Sequence, residues 1–138
     1  MEKTGHYAVR ATIDGPAYDT RIAVRGHELH GDEPVDEGGA DTGPKAHEYL
    51  CTALASCTAI TLRMYADRKQ FSVRSIHVDC TLDRSVKNAA VDSRFNMKIT
   101  INGELTSDQR QRMLQIAEMC PVHKTLNGAI TLDTQLAE

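Results

Sequence analysis

The chain has 138 residues, a formal net charge of −3, 41% apolar and 25% charged residues, no Trp and two Phe. That is ordinary for a soluble globular protein and enough chain for one domain, residues 1–138, with a core built mostly from Leu, Ile, Val, Ala and Met. The slightly acidic balance, with no basic patch, excludes an electrostatic case for nucleic acid, and the longest apolar run is far too short to span a bilayer.

In chain order, His6 to Ile13 alternates as a strand does, Asp14-Gly15-Pro16 is turn chemistry, and Tyr18 to Val24 reads as the second strand of a hairpin. His27 to His30 is a third short strand. From Gly31 to Pro44 the composition shifts to interleaved acids, glycines and prolines. The acids there fit neither a calcium loop nor a phosphate cradle, so they are expected to be solvated.

Glu48 to Arg68 contains neither Gly nor Pro and is nearly uncharged as far as Arg63. Leu50, Leu54, Cys57, Thr61, Met64 and Arg68 recur at helical spacing, which predicts a central helix with Cys57 midway along its buried stripe. A cysteine on such a stripe is ordinarily a small hydrophobe in packing. Phe71 to Leu82 follows as a strand with Ile76, Val78, Cys80 and Leu82 on one face. Asp83 to Asp92 reads as a turn or loop, and Arg94 to Leu105 as the next strand. Ser107 is expected to cap a second helix with Met113, Ile116, Ala117 and Cys120 inward, Gly128 to end a short segment, and Ala129 to Leu132 to form a last strand.

Cys51, Cys57, Cys80 and Cys120 form no CxxC pair, and the N-terminus lacks a basic-then-apolar signal. Thiols in the cytoplasm are therefore expected rather than a disulfide framework. Cys51 and Cys80 read as packing. Cys120 is more informative, because Pro121 disfavours helix at the residue before it and suits the first position of a new one. Cys120 then sits at a helix N-terminus, which stabilises a thiolate, with His123 and Lys124 nearby. Cys120 and His123 also have C-x2-H spacing, but a metal needs three or four ligands and His27, His30 and Cys57 are scattered, so no metal is expected.

Asp32-Glu33-Pro34, Gly38-Gly39-Ala40-Asp41-Thr42-Gly43-Pro44, Glu48-Tyr49-Leu50, Ala53 to Thr61 around Cys57, and Cys120-Pro121-Val122-His123-Lys124-Thr125-Leu126 together resemble the two motifs of the OsmC/Ohr family, in order, over roughly Tyr7 to Leu132. The resemblance implies an α/β (α+β) fold, with antiparallel sheets around two central helices in an intertwined homodimer. It also implies a thiol-dependent peroxidase that reduces organic hydroperoxides in oxidative-stress defence. Cys57 would be the peroxidatic cysteine and Cys120 the resolving one. Glu48 would hold an Arg from the N-terminal hairpin, with Arg25 favoured over Arg21 and Arg10. No bound cofactor is implied. An external dithiol, for which a lipoyl-type compound is a candidate, would reduce the Cys57–Cys120 disulfide. The sequence departs from the family pattern at Ala46, where Pro is common. Nine residues separate Glu48 from Cys57, or about 180° on a regular helix. Glu48 would therefore lie in the preceding loop, be realigned by a bulge, or simply favour the helix dipole. The reading of a different class is a redox-responsive thiol switch or small-molecule binding protein with little turnover.

Overall fold

The computed structural model describes residues 2–137. The fold is mixed α+β with antiparallel sheets, as the resemblance implies. It divides into two compact units, Met1–Tyr49 and Leu50–Glu138.

In the first unit, β1 (Arg10–Thr12), β2 (Thr20–Val24) and β3 (His27–Gly31) form an antiparallel sheet in chain order, and β1 is shorter than the alternation from His6 suggests. Val24 pairs with His27, so Arg25 and Gly26 are the two central residues of the turn, at φ 49° and 86°. Positive φ at both positions matches the twist of the flanking strands.

The acidic loop is not simply solvated. Asp32 is 6% exposed and ties the segment together. Its carboxylate accepts from the N–H groups of Glu33 (2.7 Å), Ala40 (3.2 Å) and Thr42 (3.1 Å) and from the Thr42 hydroxyl (2.9 Å). The Thr42 N–H above all, joined by the other donors, holds this carboxyl below its ordinary range against the upward push of burial. Glycine is required beside it, since a Cβ on Gly39 would stand 1.9 Å from the Glu33 carbonyl oxygen. Lys45 closes the loop onto Glu37 (2.8 Å) and Glu33 (3.7 Å). Only the outward acids, such as Asp36 and Asp41, fit the sequence reading.

α1 spans Ala46–Lys69. In the second unit it is followed by β4 (Ser72–Lys87), β5 (Ala90–Glu104), α2 (Ser107–Ala117) and α3 (Pro121–Asn127). The expected loop at 83–92 is strand almost throughout. Lys87 pairs with Ala90, and Asn88 and Ala89 alone make the turn, both at positive φ. A polar exterior misled the sequence reading here, because the tip of a two-stranded ribbon can be solvated on both faces. Leu62, Tyr65 and Ala66 of α1 pack on Met113, Ile116 and Ala117 of α2, with Val73, Ile76, Ile99 and Ile101 of the hairpin against them.

The buried stripe of α1 is Leu54, Thr58, Leu62, Tyr65 and Ala66, not the one read from sequence. Leu50 and Met64 are 43% and 65% exposed. α1 is apolar on two sides, and periodicity alone could not say which side meets the sheet. α2 is capped by Thr106, not Ser107: its hydroxyl accepts from the Gln109 N–H, and the Gln109 side chain accepts from the Thr106 N–H. Residues 129–132 form no strand. Among the described residues, no helix is long and apolar enough to cross a membrane.

Because the carboxyl of Asp32 is depressed in the folded state, its contribution is fully present above the unfolded value and is lost as pH falls through the folded one. Asp32→Asn should therefore be less stable than wild type at neutral pH, and the gap should close below about pH 4. Urea unfolding across pH measures this, and a gap of constant size would contradict the role given to the ionised carboxyl.

Candidate functional site

α2 ends in a turn whose last N–H, that of Cys120, points at the Ala117 carbonyl (3.4 Å). Cys120 then takes φ −57°, ψ 135°, the extended geometry a residue before proline prefers, and Pro121 opens α3. The Cys120 sulfur is the N-cap of α3: it accepts from the His123 N–H at 3.5 Å. His123 thus meets this sulfur through its backbone rather than its ring. Cys120 is fully buried, whereas Cys57 is half-buried.

Cys57 and Cys120 are both free thiols, and each is near enough to shift the other's ionisation. Their environments differ in sign. For Cys57, burial comes first and the neighbouring Cys120 second, and both push its thiol upward; the Val122 N–H and the Thr61 hydroxyl only partly offset this. For Cys120, burial also pushes up, but the Cys57 thiol, the His123 N–H, the Thr58 hydroxyl and the Val122 N–H outweigh it, and the thiol is lowered. Within the pair, Cys120 is therefore the more acidic thiol. Thr58 is also fully buried, with its hydroxyl 2.8 Å from the Leu54 carbonyl and 3.5 Å from the Met97 sulfur.

A cavity of about 330 Å³ is lined by Leu54, Phe95, Met97, His123 and Leu126, with Ser93 and Asn127 at its polar side; neither sulfur lines it, and His123 is its link to the cap of α3. A larger hollow of about 600 Å³ lies between Asp83, Arg84 and Arg94. Leu54 lines the smaller cavity, whereas Met113 and Ile116 belong to the core.

Glu48 is the third residue of α1, which is uninterrupted, so neither the loop placement nor a bulge applies. Its carboxylate accepts from the Lys45 N–H at 2.8 Å and stabilises the start of the helix. Arg25 occupies the exposed turn between β2 and β3. Arg21 is paired with Asp14, and Arg10 lies on β1 opposite Ala23. Sequence reasoning placed Thr61 on the stripe of Cys57 without giving it a part in the site, and did not single out Thr58. Thr61 was legible in principle, four residues after Cys57 and hence on its face of the helix. Thr58 emerges only once Cys120 is known to pack there.

Residues 38–135 match the family of OsmC-like proteins. A search of curated proteins gives no match. Among solved structures, an OsmC-like protein from Mycoplasma pneumoniae is similar at a TM-score of 0.77 and 20% identity, over 93% of this chain and 90% of that one. An organic hydroperoxide resistance protein from Elizabethkingia anophelis is similar at 0.71 and 16%, over 93% and 92%. Another, OsmC from Legionella pneumophila, is similar at 0.69 and 14%, over 92% and 93%.

If the Thr58 hydroxyl helps to hold the Cys120 thiolate, Thr58→Val should raise the pH at which the first thiol of the pair ionises. Ultraviolet thiolate absorbance against pH, in a Cys51→Ser/Cys80→Ser background, would read this. An unmoved titration would remove Thr58 from the site.

Proposed function

We propose that this chain, which belongs to the OsmC-like protein family, is a thiol-dependent peroxidase for organic hydroperoxides, acting in the cytoplasm in oxidative-stress defence. The observation that carries the reading is the pairing of two free thiols that shift each other's ionisation, Cys57 on α1 and Cys120 at the cap of α3. Two solved structures of the same fold belong to proteins named for organic hydroperoxide resistance.

Accessibility supports the proposed roles. Cys57 is half-buried and Cys120 is fully buried, so a peroxide reaches Cys57 first. The nucleophile must be a thiolate. Cys120, the more acidic of the two, takes up the Cys57 proton as the attack develops. The Cys57 sulfur attacks the terminal peroxide oxygen, the O–O bond breaks, and the alcohol leaves after taking up a proton. Cys57 is then a sulfenic acid. Cys120 displaces its hydroxyl as water, which leaves a Cys57–Cys120 disulfide. An external dithiol, lipoyl-type in this proposal, restores both thiols by exchange, and no bound cofactor or metal takes part. A hydrogen-bonding cation near Cys57 would further favour its thiolate and the departing alkoxide. Arg25, oriented by Glu48, is the proposed source, with Arg21 and Arg10 as the other candidates. The largely apolar cavity suits a lipophilic hydroperoxide better than hydrogen peroxide.

The proposed assembly is a homodimer, with neither nucleic acid nor membrane as partner. Leu50, Ile60, Met64, Leu114 and Met119 are 43–65% exposed on α1, α2 and the turn after α2, large apolar side chains of the kind a second copy would cover. Sedimentation equilibrium should give twice the chain mass, and a monomer would remove this part of the proposal.

The upward push on the Cys57 thiol favours a second reading, a slow redox-responsive switch. Stopped-flow turnover of cumene hydroperoxide with dihydrolipoamide separates the two. A peroxidase should consume it catalytically, faster than hydrogen peroxide, and Cys57→Ser should lower the rate at least about a thousandfold. Cys120→Ser should let Cys57 over-oxidise to sulfinic acid on repeated exposure. A single stoichiometric oxidation without turnover would favour the switch, and full activity in Cys57→Ser would end both readings.

A further inference from the structure

We infer that Cys51 and Cys80 are a second dithiol, which hydroperoxide closes into a disulfide that staples α1 to β4. Each was read from the sequence as packing, and each is half-buried. Cys51 lies three residues before Leu54 and seven before Thr58, so it continues the buried stripe of α1. Cys80 shares the inner face of β4 with Ile76, Val78 and Leu82. Its partner across the hairpin is Met97, whose sulfur is 3.5 Å from the Thr58 hydroxyl. Ile76, four residues earlier on the same face, packs against the core cluster to which Leu62, Tyr65 and Ala66 of α1 contribute. The face of β4 that carries Cys80 is thus the one that meets the buried stripe of α1. Cys51 stands near enough to Cys80 to push its thiol upward.

The pair is separate from Cys57 and Cys120. At about 100° per residue, Cys51 and Cys57 leave α1 some 120° apart. Their partners come from different elements, β4 in one case and the turn before α3 in the other. Burial, and then Cys51, push the Cys80 thiol up to about 11, so Cys80 stays protonated and the pair stays reduced until oxidant accumulates. Cys51 takes the first step. Its thiolate sulfur attacks a peroxide oxygen, the O–O bond breaks, and the alcohol departs protonated, which leaves Cys51 as sulfenic acid. The Cys80 sulfur then displaces the hydroxyl, which leaves as water with the Cys80 proton. One hydroperoxide supplies both oxidising equivalents. The bridge fixes the start of the helix that carries Cys57 to the sheet and restricts the unfolded chain.

The test does not depend on the roles proposed for Cys57 and Cys120. A Cys57→Ser/Cys120→Ser variant, checked for folding by circular dichroism, is treated with excess cumene hydroperoxide and mapped without reduction. The expected product is one intramolecular bridge joining the peptides of Cys51 and Cys80, reversed by dithiothreitol. The urea midpoint of the oxidised variant should rise, and adding Cys51→Ser should abolish both bridge and rise. Two thiols that stay free, a Cys51 that proceeds to sulfinic acid without a bridge, or a bridge between chains would each overturn the inference. Should the double variant not fold, the same mapping on the wild-type chain decides. A Cys51–Cys80 peptide supports the inference whatever happens at Cys57 and Cys120, and its absence overturns it.

Discussion

A proline cannot continue the helix that precedes it, and the candidate site depends on that constraint. Pro121 lacks the N–H an interior helical turn would need and forces Cys120 into extended geometry. Without the break, Cys120 would be one more apolar position on α2. With it, the sulfur becomes the cap of a new helix, and donors from the first turn of α3 converge on it. A sulfur cap is weak beside a hydroxyl or carboxylate, so this one serves the thiol's ionisation more than the stability of the seven-residue α3.

The two thiols owe their difference to what surrounds them rather than to depth alone. Both are pushed up by burial. Cys120 accepts from the His123 N–H and is lowered despite it, with Cys57, Thr58 and Val122 acting in the same direction, whereas Cys57 keeps a net upward shift. The more acidic sulfur is thus the less reachable one. In the proposed chemistry the buried thiolate is first the base that frees its neighbour and then the nucleophile that resolves it. One residue serves both steps.

The sequence was legible where one constraint dominated. Alternation marked both faces of β4 and β5, and Cys120-Pro121 announced a helix break that the structure contains. It was misleading where two solutions satisfied the same pattern. On α1, Leu50 and Met64 are as apolar as Leu54 and Leu62, and only the position of the hairpin decides which pair is buried. Asp32 looked like one acid among several, because burying it depends on donors eight and ten residues away. Which residues of β4, and of the turn before α3, come to lie against α1 is set by tertiary packing, which no local window of sequence contains. Ser107 lost the cap to Thr106 by one position, within the ordinary uncertainty of a helix end.

Around α1, at about 100° per residue, Cys57 falls between the buried stripe and the open side that carries Ile60 and Met64. That position has a consequence for the proposed dimer. A second copy laid on the open side would remove water from Cys57 as well, and desolvation by itself would raise its thiol further and slow attack. Covering the apolar face and activating the thiol are therefore opposed unless the same closure brings a positive charge to the sulfur. An arginine held by a carboxylate meets that need, because it stays ionised when desolvated and its fork can donate to sulfur and to a departing oxygen together. The requirement for a cation at Cys57 thus follows from the burial of the thiol itself, and it would grow with every apolar residue the partner covers.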